Sequence, residues 1–265
     1  MTDRRPEQEA EPSNSPAAPT PPASGDLGKL SDMECNLCGG TEFRNRKSRK
    51  NIVCLTCGSD ERTRVMHLFF AKFAIVRPGM RVMHLAPERG IYEYISNIPD
   101  VQYEVYDLEP QNFDFAPVKP IDLVTDLILI PSQTYDVVIH SHVMEHIPCN
   151  ITAVLFHLNR ILKIGGEQAC VIPFVKGHFS EDLGRMSEMA RVARFGQRDH
   201  VRRFGDEDIQ RTLGMIFRLP TLYDIETVFG RAELDRFNIP PYCRRGFSPH
   251  TFLRLKRSDM LLKDG

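Results

Sequence analysis

Four short apolar runs, separated by helical stretches, restrict the architectures open to this chain more than any other feature. "RVMHLA" (81–86), "YEVYD" (103–107), "YDVVIHS" (135–141) and "EQACVIP" (167–173) read as buried strands. The last follows an amphipathic stretch, "ITAVLFHLNRILK" (151–163), and a "GG" stop, while "DERTRVMHLFFAKFAIV" (60–76) carries apolar residues at helical spacing and ends at "RPG" (77–79). Strand–helix alternation of this kind implies an α/β fold with a parallel, doubly wound sheet. With 265 residues, 42% hydrophobic and 26% charged, the chain can build one sizeable core and a small accessory unit.

The cysteines define that accessory unit. Cys35, Cys38, Cys54 and Cys57 form C-x2-C-x15-C-x2-C, the spacing of a four-thiolate zinc site, with Gly39, Gly40 and Gly58 supplying tight turns behind each pair. Four protein ligands leave no open position, so the expected metal is structural zinc. Cys149, Cys170 and Cys243 lack such spacing and read as core or surface thiols. Residues 1–30 are rich in Pro, Ala, Ser and Glu with almost no large apolar side chains, which predicts a disordered tail ahead of a ribbon over 31–61. No apolar run approaches a bilayer span and the N-terminus lacks a signal-peptide core, so the expected compartment is the cytoplasm, without membrane contact. A net charge of -1 argues against a strongly basic nucleic-acid binder, although "RNRKSRK" (44–50) is a local basic run.

Ligands of a doubly wound sheet bind beyond the carboxyl ends of its strands. Asp107 closes the second run, where a carboxylate accepts hydrogen bonds from two ribose hydroxyls, although an Asp before "LEP" also suits a turn. Two longer stretches add to it: "VTDLILIPSQTYDVVIHSHVMEHIP" (124–148) and "LNRILKIGGEQACVIP" (158–173). Over roughly 62–175 the chain resembles the class I S-adenosylmethionine-dependent methyltransferases, most closely their small-molecule, type 11-like branch. The resemblance implies a Rossmann-like sheet with an antiparallel last strand over 62–265, and S-adenosylmethionine as methyl donor.

The same resemblance suggests site residues. The family's first loop carries an acid and small or glycine positions; here they fall at His84, Ala86, Glu88 and Gly90, of which only Gly90 matches outright. Glu88 would meet the donor's ammonium in place of the acid missing at 84. Asp107 resembles the ribose acid, and Asp126 the acid near the adenine amino group, with Leu127 as an apolar wall. His140, Ser141 and His142 occupy the loop facing donor and acceptor, with Glu145 and His146 just beyond. Asp136 reads as structural. His142 and His146 are the candidate general bases, followed by His178 and His200, because neutral histidine accepts a proton near pH 7. Residues 177–214 read as a charged, helical, acceptor-facing insertion whose His200, Arg202 and Arg203 suit an anionic substrate. "FRLPTLYDI" (217–225) and "HTFLRLKR" (250–257) are the expected antiparallel edge strands.

The expected reaction is methyl transfer to a small-molecule acceptor. The alternative is a zinc-ribbon RNA methyltransferase or nucleic-acid binder, against which stand the neutral charge and "SHVM" (141–144) where a "[DN]PP[YF]"-type tetrapeptide is typical of base-amino methylation. A third reading is a metal-dependent interaction module with a vestigial donor fold. Acceptor and oligomeric state are not encoded in any motif.

Overall fold

The computed structural model describes residues 33–262; the tail expected over 1–30 lies outside them. The first described elements are β1 (Phe43–Arg46) and β2 (Arg49–Cys54), an antiparallel hairpin with Phe43 opposite Cys54. It brings the two cysteine pairs together. The sulfurs of Cys35 and Cys57, and those of Cys38 and Cys54, are each 3.6 Å apart, and all four lie within 4.8 Å of one another. Gly39 and Gly58 close the two loops at φ 72° and 73°, where a side chain would be strained.

Helix α1 (Glu61–Phe73) follows, with the Asp60 carboxylate accepting from the Thr63 amide at its start and Ala74 closing it at φ 45°. The main sheet is built from β3 (Arg81–Leu85), β4 (Gln102–Asp107), β5 (Lys119–Pro120), β6 (Tyr135–Ser141) and β7 (Leu162–Val171), all parallel. Helices α2 (Arg89–Ser96) and α3 (Ile151–Arg160) connect them. Beyond β7 come β8 (Phe174–Val175), β9 (Ser180–Glu181), α4 (Glu188–Phe195), β10 (Arg202–Gly205), α5 (Glu226–Phe229), α6 (Arg231–Arg236) and β11 (Phe252–Lys256). β11 pairs antiparallel with β7, and the order across the sheet is β11-β7-β6-β3-β4-β5. The chain therefore starts in the middle, runs outward through β4 and β5, and returns to the other side of β3, opening a switch point between β3 and β6.

Alternation along the strands explains why apolar residues occupy adjacent positions in them. Met83, Leu85 and Val138 face α3, packing with Val154, Leu155 and Leu158, while Val82, Val137 and Ile139 pack with Phe69, Phe70, Ile91 and Ile95 of α1 and α2. Both faces are covered, so the polar residues these strands do carry, His84, His140 and Gln168, are buried.

Three sequence expectations need correction. The "GG" pair does not stop the helix, which ends at Arg160; it lies inside β7, where a Cβ on Gly166 would sit 2.8 Å from the Asp136 carbonyl. Glycine there permits close strand approach, beside a register shift between Tyr135 and Val137. Residues 177–214 are not mainly helical: they hold α4 alone among α-helices, with β9 and β10 completing a small sheet of order β8-β10-β9. Residues 217–225 form no strand, only isolated bridges at Phe217 and Asp224, since Pro220 interrupts the run and has no amide to donate. The stretch 250–257 does supply the antiparallel edge, as β11.

The cysteine cluster is stitched to the sheet by buried polar contacts. Arg64 is fully buried, and its guanidinium donates to the carbonyls of Ile52, Ser59, Phe237 and Asn238. Arg49 pairs with the buried Glu61, which also faces His250 at 3.2 Å. Gly90 completes the joint, because a Cβ there would meet Leu37 Cδ2 at 2.5 Å.

Candidate active site

A cavity of about 470 Å³ opens at the carboxyl ends of β3, β4 and β6, where the switch point places it. Its wall includes Ala86 after β3, Asp107 at the end of β4, Asp122 after β5, and His142 and His146 after β6. Asp199 reaches it from the stretch between α4 and β10. The two strand-end loops that flank the switch point both turn through a left-handed residue that is not glycine: Ala86 at φ 49° and His142 at φ 54°. Such backbone is costly by about 1 kcal/mol or more and concentrates at ligand sites. Ala86 is held there by the hydrogen bond its N–H donates to the Tyr106 carbonyl, and His142 by the one its N–H donates to the Val171 carbonyl.

The two carboxylates of the wall are set alike. Asp107 Oδ1 accepts from the Glu109 amide and Asp122 Oδ1 from the Val124 amide, both at 2.8 Å. Each turn fixes one oxygen and leaves the other for a ligand. Apolar Leu85, Ile121, Leu123 and Val143 make up much of the remaining wall.

The histidine side is more deeply buried. The His142 Nε2–H donates to the Pro249 carbonyl at 2.8 Å, so Nδ1 carries the lone pair, 3.5 Å from Glu145 Oε1. Burial, reinforced by the Arg62 charge, lowers His142 to about 3, so it is neutral near pH 7 and a weak base. Burial pushes the Glu145 carboxyl up to about 7. His146 Nδ1 lies 3.2 Å from Asp199 Oδ2, and its Nε2 is 3.9 Å from Glu145 Oε1. The His146 and His200 rings meet edge to face at 4.6 Å.

Of the residues singled out in the sequence, Ala86, Asp107, His142 and His146 converge on this cavity, while the rest lie elsewhere. His84 is fully buried, with Nδ1 2.6 Å from the Tyr103 hydroxyl. His140 is fully buried beside Gln168, and burial lowers it to about 4. Glu88 starts α2 but turns toward Arg62 of α1, 3.3 Å away, and toward His84 at 3.8 Å. Gly90 serves the contact with Leu37. Asp126 accepts from the Asp122 amide and the Thr125 hydroxyl outside the cavity, and Leu127 belongs to the core. The acid of this loop on the wall is Asp122, four residues earlier; "IDLVTD" offers both, and spacing from Pro131 alone does not choose between them.

The supposed anion cluster is also dispersed. Arg202 is fully buried, with Nε donating to Glu181 at 2.8 Å and its terminal nitrogens donating to the Met144 and Cys149 carbonyls. It braces the loop carrying Glu145 and His146 rather than facing a substrate. His178 is largely exposed beside Glu207 and Asp208.

Neither a protein-family model nor a curated protein matches the chain. Solved structures of similar chain course include a putative sarcosine dimethylglycine methyltransferase from Galdieria sulphuraria, at 17% identity and TM-score 0.38. That match covers 52% of this chain and 56% of the other, about half of its length. A complex between the Haloferax volcanii Trm112 methyltransferase activator and the putative methyltransferase matches at 14% identity and TM-score 0.40, covering 73% and 91%. Coclaurine N-methyltransferase, bound to N-methylheliamine and SAH, matches at 14% and 0.38, covering 60% and 48%. At these scores the likeness assigns no role to any residue.

Proposed function

We propose that the chain transfers a methyl group from S-adenosylmethionine to a small-molecule acceptor, in a methyltransferase domain spanning 62–265 behind a zinc ribbon at 31–61. The observation that carries this reading is the cavity at the β3–β6 switch point with Asp107 and Asp122 at successive strand-end loops on its wall. Its volume falls in the range of about 300–1,000 Å³ usual for small-ligand sites. Asp107 accepts the ribose hydroxyls through its second oxygen, Asp122 takes the role first expected of Asp126 at the adenine end, and Leu85, Ile121 and Leu123 exclude water from the rings.

When bound, the donor supplies an electrophilic methyl group. The protein's task is then alignment of an acceptor in line with it. His142 and His146 line the wall where the acceptor enters. Asp199 accepts the Nδ1 proton of His146, which leaves a lone pair on Nε2. His142, a weak base, orients rather than deprotonates.

The four cysteines fit zinc: a tetrahedral site with bonds of about 2.3 Å sets its sulfurs about 3.8 Å apart, close to the spacing of the two pairs here. Cys35, Cys38, Cys54 and Cys57 would fill all four positions, and the metal would rigidify the joint made by Arg64. A small acceptor is favoured over RNA because the basic run 44–50 is partly neutralised: Arg46 pairs with Asp60 and Arg49 with Glu61. No described helix is long and apolar enough to cross a membrane.

Equilibrium dialysis against radiolabelled S-adenosylmethionine, with and without a structured RNA, tests this. One donor retained per chain, indifferent to RNA, is expected. A chain that retains no donor refutes the proposal.

A further inference from the structure

Beside the cavity lies a second constellation, which shares His146 with the acceptor wall and whose Glu145 and His200 methyl transfer does not use. Glu145, His146 and His200 each offer a ligand atom, and these atoms all lie within 4.8 Å of one another. Glu145 is 1% exposed, yet neither of its carboxylate oxygens has a hydrogen-bond partner. The buried Nε2 of His200 is likewise unpartnered. A buried polar group left unsatisfied is costly, and a charged one more so, so these atoms gathered at one point call for a common partner. Protein donors do not supply it. Arg202, the nearest buried cation by sequence, has its guanidinium committed to Glu181 and to the Met144 and Cys149 carbonyls.

The surroundings prepare the two rings as ligands. Asp199 sits 3.2 Å from Nδ1 of His146, which fixes the proton there and leaves Nε2 bare toward Glu145. The His200 ring is buried, and its Nε2 stays free. A carboxylate or carbonyl behind a histidine is the arrangement that selects the tautomer and orients the ring for a metal. The mount is firm as well: Arg202 ties the Glu145 loop to β10, and the Val201 amide donates to the Glu145 carbonyl at 3.0 Å.

We infer that Glu145, His146 and His200 bind a divalent transition-metal ion, distinct from the cysteine site and set in the wall of the cavity. Two imidazoles and a carboxylate suit Zn²⁺ or a neighbouring first-row ion, and three protein ligands leave at least one position open. Bonds of about 2.1 Å place tetrahedral ligands about 3.4 Å apart, so closing by roughly 1 Å, within reach of side-chain rotation, seats the ion. Because His146 and Asp199 also line the cavity, the open position adjoins the place where an acceptor would lie. The class of ligand it takes is an oxygen- or nitrogen-bearing group of a small molecule, or water.

The full chain, saturated with Zn²⁺ and freed of excess by gel filtration, should hold two equivalents of zinc. Glu145→Gln or His200→Ala should hold one, and Cys54→Ser should lose the other. Titration with Co²⁺ of the chain carrying one equivalent of zinc, at the cysteines only, should give a visible d–d band without the thiolate charge-transfer band that marks cysteine ligation. Asp199→Asn, at an exposed position, should weaken that Co²⁺ binding by about 10- to 100-fold without removing the site. Circular dichroism and the retained cysteine-bound equivalent show that each variant is folded. One equivalent in the wild-type chain, or a second that survives both Glu145→Gln and His200→Ala, would overturn the inference. Because no methyl donor enters the measurement, its outcome is independent of donor binding.

Discussion

Glu88→Gln separates two roles for the acid that follows β3. The sequence suggests that it meets the donor's ammonium, whereas the structure turns it toward Arg62, with Oε1 3.3 Å from Nε. At an effective dielectric of about 20, a pair at that separation attracts by roughly 5 kcal/mol before desolvation is counted. Removing one partner of a buried pair costs about 3–5 kcal/mol, because the other charge is left stranded. Arg62 keeps 22% of its side chain exposed, so water recovers part of that loss, and a net cost of about 2–3 kcal/mol is expected. With a urea slope of about 2–3 kcal/mol per molar, the unfolding midpoint followed by circular dichroism falls by about 1 M. The pH dependence has a definite sign. Burial acts to raise the Glu88 carboxyl, but His84 and Arg62 outweigh it and hold it below the usual range. A depressed folded value means that the stabilisation is present above the unfolded value of about 4.3 and is lost as pH falls through the folded one. The gap between wild type and Glu88→Gln should therefore close in acid. Affinity for S-adenosylhomocysteine should change by less than about threefold, since Glu88 is absent from the cavity wall. A midpoint shift below about 0.2 M, or a tenfold loss of affinity at unchanged stability, would refute this reasoning.

Two further outcomes follow from the joint between the cysteine cluster and the sheet. Arg64→Met removes the donor shared by the Ile52, Ser59, Phe237 and Asn238 carbonyls and should cost about 3 kcal/mol or more, read by urea unfolding; a loss below about 1 kcal/mol would show the carbonyls re-solvated at little expense. Asp60→Asn keeps the cap on α1 but loses the charge beside Arg46, costing about 1 kcal/mol at pH 7. Burial acts to raise Asp60, but the Arg62 charge, the Thr63 amide and the Arg46 charge together hold it low, so this difference should be full above about pH 4 and fade as pH falls further, through the depressed folded value.

What could be read from the sequence was governed by periodicity and short-range geometry. β6 spans 135–141 around the apolar Val137–Ile139, because a strand buried on both faces concentrates apolar residues on adjacent positions. The cysteine pairs were readable from spacing alone, since each loop closes locally. The place of Asp107 on the cavity wall was readable because the end of a strand beside the switch point opens on the crevice, and its turn with Glu109 was readable from "DLEP". Asp122 was missed because two acids four apart fit the same short loop, and only the path of the backbone decides which faces the cavity. Asp199 reaches the cavity from a segment whose charge pattern resembles a solvated helix, and long-range contacts of that kind leave no local trace. Gly90 matched a cofactor-loop pattern, yet its missing side chain admits Leu37, a contact across 53 positions that no motif encodes.

Donor binding through Asp107 is the claim on which the functional reading stands, and calorimetric titration of S-adenosylhomocysteine into wild type and Asp107→Ala tests it without knowledge of the acceptor. Wild type should bind one equivalent. Asp107→Ala, which leaves two ribose hydroxyls without an acceptor, should lose about 1.5–3 kcal/mol, or on the order of tenfold to a hundredfold in affinity. A wild-type chain that takes up no ligand, or an Asp107→Ala chain that binds as tightly as wild type, would contradict the account.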